Sequence, residues 1–118
     1  MAKHNTTGAI GEKMASEYLR EKGFEILQQN WRYGNWEVDI IASQKNILHF
    51  IEVKTRRNTK YGYPEDDVNK KKILNLINAS EEYLLQHPGW KRIQFDILSI
   101  NINYGTENEF FFIEDVNV

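Results

Sequence analysis

Cysteine is absent from the 118-residue chain, and only two prolines and three histidines occur in it. Without cysteine there can be no disulfide and no thiolate metal centre. That usage suits a reducing compartment, and a cytoplasmic location is the expectation. His4, His49 and His87 are scattered too widely to suggest a zinc site, and His49 is expected to pack within a sheet. Also missing is any apolar run approaching the roughly 18 residues of a membrane span, so no membrane partner is expected. The start, Met1-Ala2-Lys3-His4-Asn5-Thr6-Thr7, carries no apolar stretch, and no signal peptide is expected. No repeat, low-complexity segment or linker interrupts the chain. A single domain over 1–118 follows, large enough to bury one core.

Helical and extended patterns are both present. Ile10, Met14, Ala15, Tyr18 and Leu19 share one helical face, which predicts a helix over about 7–22. Thr6 or Thr7 caps it and Gly23 stops it. Gly11 sits at the centre of that face, where it costs about 0.5–1 kcal/mol relative to alanine; close approach of helix to sheet is sufficient reason. Glu12 lies at the border of the face and can lean over the sheet. Residues 24–31 predict a first strand. Arg32 to Asn35 then read as a turn, and Asn30-Trp31-Arg32 as part of it in preference to a DNA-facing edge. Two more strands follow, Trp36–Ile41 and Leu48–Lys54, the latter apolar on both faces and therefore central.

Beyond a basic loop ending at Pro64, a second helix is predicted from Asp66 or Asp67 to Gln86. Its stripe is Val68, Leu76, Ile77, Ala79, Tyr83 and Leu84, with Lys72 falling inside it. Pro88 lies just past its end, and Ile93–Ile102 and Phe110–Val116 read as the last strands. The order helix, three strands, helix, two strands predicts an α/β sandwich with a mixed sheet flanked by helices.

The dense chemistry lies on the second and third strands. If Lys45-Asn46 is a two-residue hairpin turn, Gln44 pairs with Ile47, and that register sets Asp39 opposite Glu52 and Glu37 opposite Lys54 on one face. Facing carboxylates repel, so such a pair needs a reason, and a divalent cation is the simplest. Carboxylate oxygens suit Mg²⁺ or Mn²⁺, which share sites with phosphate. A metal there would polarise a phosphoryl oxygen, and Lys54 would offset developing charge. The competing reading is structural: Glu37–Lys54 a plain ion pair, Asp39 bonded to Arg56 or Lys72, and Asp96 a structural acid. Net charge is −2, but Lys54 to Lys72 holds seven basic residues against three acids. Arg56, Arg57, Lys60, Lys70 and Lys72 are therefore candidates to grip a polyanion, or else form a solvated loop and helix end.

Several local patterns occur together: Gly8-x-x-Gly11-Glu12, Gly23-Phe24, Asn30-Trp31-Arg32, Glu37-Val38-Asp39-Ile40-Ile41-Ala42 and Phe50-Ile51-Glu52-Val53-Lys54-Thr55-Arg56. Gly62 with Pro64, Val68 with Lys72 and Phe95-Asp96 continue them. Over about 8–100 the sequence resembles the YraN family of predicted endonucleases, which are similar to archaeal Holliday-junction resolvases. The resemblance implies a restriction-endonuclease-like three-layer sandwich. It further implies metal binding at Asp39 and Glu52 with Val53, a catalytic Lys54, Glu12 completing the pocket and Glu37 in support. Two departures occur, Val38 where many relatives of the wider superfamily have proline, and Trp36 where glycine is common. Two functions follow as expectations: a Mg²⁺- or Mn²⁺-dependent endonuclease for structured or branched DNA, or a nuclease-fold module that binds nucleic acid with little or no cleavage. A resolvase-like homodimer would place two sites for two strands.

Overall fold

The computed structural model describes residues 6–57, 70–103 and 105–116. The elements run α1 (Thr6–Glu21), β1 (Glu25–Tyr33), β2 (Trp36–Gln44), β3 (Ile47–Arg56), α2 (Lys70–Gln86), β4 (Ile93–Asn101) and β5 (Glu109–Ile113). Helix α1 ends as Gly23 requires. At φ 94° its N–H reaches the Arg20 carbonyl, while Phe24 N–H reaches that of Leu19. Leu19 and Phe24 then bury together in the same core. The five strands form one sheet in chain order, antiparallel except for the β3–β4 pair. That parallel step needs a crossover, and α2 supplies it.

Each face of the sheet has its own apolar core. Ala15 and Leu19 of α1 pack with Ile40, Ala42, Ile51, Leu98 and Ile100. Leu76, Ala79 and Tyr83 of α2 pack on the opposite side with Val38, Ile41, Leu48 and Phe50. β3 lies in the middle and feeds both, as its two-sided apolar pattern predicts. The chain therefore forms an α/β fold, a five-stranded mixed sheet with one helix on each face.

Two boundaries differ from expectation and a third cannot be compared. β1 runs on to Tyr33, so Asn30, Trp31 and Arg32 belong to a strand and not to a turn. Gly34-Asn35 alone makes the connection, with Gly34 at φ 62° as a two-residue hairpin turn favours. Trp31 stays in the ladder because its ring packs edge-on against Tyr83, centroids 5.3 Å apart. The expected start of the second helix, with Asp66, Asp67 and Val68, falls outside the described residues, which resume with α2 at Lys70. β5 runs Glu109–Ile113; past it Asp115 has φ 57° and the chain continues along β4 one residue out of register, Val116 N–H bonding the Phe95 carbonyl.

Candidate functional site

The β2–β3 turn forms as expected. Lys45 and Asn46 both have positive φ, 55° and 67°, and the ladder runs from Gln44↔Ile47 to Ile40↔Ile51. The register is the expected one, but the ladder ends there, so Asp39 and Glu52, and Glu37 and Lys54, are not laddered as its continuation would have them. β2 instead stays with β1, through Gln29↔Ile40, Trp31↔Val38 and Arg32↔Glu37. The β1–β2 ribbon also changes sides at this level: Ile40 faces the α1 core, while Trp31 and Val38 face the α2 core. Leaving β3 frees backbone groups, and the Asp39 side chain answers one of them. Its Oδ2 accepts from Val53 N–H at 2.8 Å.

Splaying the strands opens a cleft of about 170 Å³ lined by Asn35, Glu37, Asp39, Glu52, Lys72 and Asn75. Asp39 and Glu52 line it together, close enough for the charge of one to bear on the other. Burial pushes the Asp39 carboxyl up to about 8, helped next by the Glu52 charge and more weakly by Glu37 and Glu12; the Val53 N–H works against the rise. Burial raises Glu52 as well, opposed first by the Lys72 ammonium, then by Lys54. Lys72 reaches in from α2, its Nζ 3.9 Å from Glu52 Oε2. Its place inside the apolar stripe of that helix is what aims it at the sheet.

Glu12 arrives from the other face. A Cβ on Gly11 would overlap the Thr55 side chain, so only glycine lets α1 sit so close to the end of β3. The next residue is thereby carried to the same end of the sheet. Glu12 Oε1 accepts from Asn30 Nδ2 at 3.3 Å, and Glu12 borders the neighbouring groove with Ser16 and Gln29. Among the described residues no three His, Asp or Glu side chains cluster as a cation site. Glu37 pairs with Arg32, 3.5 Å away on β1. Arg56 is half-buried at the end of β3 and Arg57 exposed beyond it, neither lining the cleft. Lys60 and the side chain of Lys70 lie outside the described residues.

Sequence reasoning missed Asn30, Arg32, Asn35 and Asn75 as neighbours of the acids. It also missed Ser99 and Asn101 on β4, in register with Lys54 and Arg56, whose buried polar atoms have no hydrogen-bond partner. Alternation would have placed Ser99 and Asn101 on the Glu52 face, since Phe95 two residues upstream of Ile97 packs there. Asp96 and His49 fall where the structural reading put them: His49 Nδ1–H donates to Asp96 Oδ2 at 2.7 Å, fully inside the protein.

An α/β sandwich whose sheet opens around two half-buried carboxyls, those of Asp39 and Glu52, is the class that fold and cleft define. The family model described as "Uncharacterised protein family UPF0102" matches residues 11–100. A UPF0102 protein of Flavobacterium psychrophilum is 42% identical over 100 residues, 85% of this chain and 84% of that one. Those of Phocaeicola vulgatus and Christiangramia forsetii are 44% and 45% identical over the same length, covering 85% of this chain and 83% and 84% of theirs. The chain belongs to the UPF0102 family, which is the YraN family. No described helix is long and apolar enough to cross a membrane.

Proposed function

We propose that the fold is restriction-endonuclease-like and that the protein is a divalent-cation-dependent endonuclease for structured or branched DNA. One observation carries the reading: Asp39 and Glu52, both half-buried, line one cleft at the point where β2 leaves β3. Two like charges so placed lower the stability of the folded chain unless a proton or a cation joins them. The donor set fits Mg²⁺ or Mn²⁺, which take one or two carboxylates and keep several waters. Asp39 and Glu52 would hold the ion by side chains, and Val53 has only its main chain to offer. When bound, the cation would supply Lewis acidity toward a phosphoryl oxygen.

The remaining chemistry belongs to the chain's own residues. Lys54 follows Glu52 on the same face of β3 and lends its charge there, where a scissile phosphate would gather negative charge. Lys72 offers a second cation from α2. Arg56 and Arg57 extend the positive side along the strand's end and would hold the phosphate backbone on either side of the cut.

A specific observation favours a second reading. With Asp39 holding its proton to about pH 8, the two acids need no cation between them at neutral pH, as a binding module would need. Incubating pure protein with junction, flap, duplex and single-stranded DNA, in Mg²⁺, Mn²⁺ or EDTA, separates the two. Cleavage that requires the cation and disappears in Glu52→Ala supports the nuclease. Binding that persists in EDTA, with no cleavage under any condition, leaves the module.

A further inference from the structure

At the far end of the sheet from the acid cleft lies a larger groove, of about 540 Å³, lined by Asn46, Pro88, Gly89, Trp90 and Lys91. Local backbone fixes both of its sides. Lys45 and Asn46, at φ 55° and 67°, make the tight turn between β2 and β3. Past α2, Gly89 at φ 118° lets the chain turn toward β4. Leu48 N–H then bonds the Arg92 carbonyl at 3.0 Å, which ties the Lys91-Arg92 segment beside the β2–β3 turn. Trp90 packs partly against the core on the α2 side, so its indole is anchored there and still borders the groove. Lys45, Lys91 and Arg92 are exposed, and among the described residues none of the three forms an ion pair. No acid among those residues lines the groove either.

A chain of net charge −2 that leaves three cations unpaired at one spot offers that spot to an anion. An indole beside them favours an anion that also carries flat rings. We infer that this groove is a second nucleic-acid contact. It takes an unpaired stretch of strand, with a base stacked on Trp90 and phosphates on Lys45, Lys91 and Arg92. The inference rests on nucleic acid being the ligand of the proposed site, and it names the part of a branched substrate that the cleft does not hold. Five residues of β3 at about 3.3 Å each separate Ile47 from Glu52, so roughly 17 Å of strand lies between groove and cleft. A base within a duplex is covered by its neighbours, so stacking on Trp90 requires an unpaired one. The groove therefore selects flapped or open-centred DNA over plain duplex. Its rival is a solvated turn whose indole serves the core alone.

The test is fluorescence anisotropy in EDTA, where binding is read without cleavage, on labelled single-stranded DNA, a flapped duplex and a blunt duplex. Trp90→Leu, Trp90→Phe and the triple variant Lys45→Gln/Lys91→Gln/Arg92→Gln are compared with wild type, each with its melting temperature as the check on folding. Trp90→Leu weakens single strand and flap about tenfold, the usual loss for one stacked base, and leaves blunt duplex within about twofold. Trp90→Phe, which keeps an aromatic face, retains most of the affinity. The triple variant makes the salt dependence of single-strand binding shallower by about two, as for three lost phosphate contacts. Wild-type affinity in Trp90→Leu, an equal loss on blunt duplex, or an unchanged salt slope in the triple variant would overturn the assignment. Should Trp90→Leu fail to fold, the salt slope decides, because the three side chains it concerns are exposed. A wild type that binds none of the three DNAs overturns the proposed function, and this inference with it. Variants that bind like wild type, while Glu52→Ala still abolishes cleavage, overturn the groove alone.

Discussion

Two acidic pairs sit on β3 and its neighbours, and they are built in opposite ways. His49 and Asp96, with side chains 4% and 0% exposed, form a closed set. Asp96 accepts from His49, from Gln94 Nε2 at 2.9 Å and from Asp115 N–H at 2.9 Å, so every buried donor nearby has an acceptor. Asp39 and Glu52 are only half withdrawn from water and line one cleft together, with Val53 N–H on Asp39 and the Lys72 ammonium beside Glu52. The first pair ties the chain after β5 to the sheet. The second opens on a cleft, where its protonation can respond to what enters. A buried acid alone therefore says little; what faces it separates a fastener from a binding site.

The sharpest way to break the comparison is to exchange oxygen for nitrogen at Asp39. Asp39→Asn keeps the shape and still accepts from Val53 N–H, but removes a charge from the proposed site. Cation-dependent cleavage should fall about 1000-fold, on the order of 4 kcal/mol in barrier, with the fold intact. Gel assays on purified variants beside circular dichroism would show it. Undiminished cleavage would mean that the acids near Val53 are not the reacting site.

The converse change at the closed pair should act on stability. Asp96→Ala strands His49 Nδ1–H, the Gln94 amide and Asp115 N–H without an acceptor in a dry interior. A loss of about 3 kcal/mol is expected from such orphaned donors. Urea denaturation measures it, and a loss below about 1 kcal/mol would erase the distinction between the two pairs.

Smaller, and opposite in sign, is the effect of pH on the open pair. In the folded chain Asp39 keeps its proton to about pH 8, whereas its ordinary value is 3.8. Between those values the unfolded state binds fewer protons than the folded state, so this group's contribution to stability falls as pH rises. Melting temperatures of wild type and Asp39→Asn in EDTA should coincide near pH 4. They should then separate toward pH 8 in favour of the variant. Water in the cleft and the nearby ammonium hold the gain to on the order of 2 kcal/mol, several degrees for a domain of this size. A variant that melts below wild type throughout would make Asp39 a fastener like Asp96.

The comparison also shows what could be read in advance. Element order, the central third strand and the turn at Lys45-Asn46 follow from period-two and period-3.6 patterns, which the cores on both faces obey. Gly11 was legible as a close approach, because glycine on an apolar helix face has few other causes. The meeting of Asp39 with Glu52 was legible as well, but not its cause. A register carried straight through the hairpin predicts a ladder pair, whereas the strands part after Ile40↔Ile51 and the side chain replaces the lost ladder. Alternation cannot reveal such a parting, since it reports which face a side chain takes and not where a ladder stops. Asn30 was misread for the same reason: asparagine before Trp31-Arg32 has the composition of a turn. Only the Trp31–Tyr83 contact and the pairing of Arg32 with Glu37 show that the strand continues.

Lys72 gives the mildest test, because it touches the open pair from a helix that otherwise serves the core. Its ammonium is 3.9 Å from Glu52, and the two side chains are 41% and 20% exposed, so solvent screens much of the attraction. Lys72→Met keeps the apolar stem that lies along the α2 stripe and removes only the charge. Stability should change by less than about 1 kcal/mol, as for other partly exposed ion pairs. DNA affinity should drop by a modest factor at low salt, and the dependence of binding on salt should become shallower by about one phosphate contact. Fluorescence anisotropy with a labelled junction from 50 to 200 mM salt reads both quantities. An unchanged salt slope would place Lys72 with the fasteners, holding Glu52 as His49 holds Asp96, and would take α2 out of the proposed DNA-binding surface.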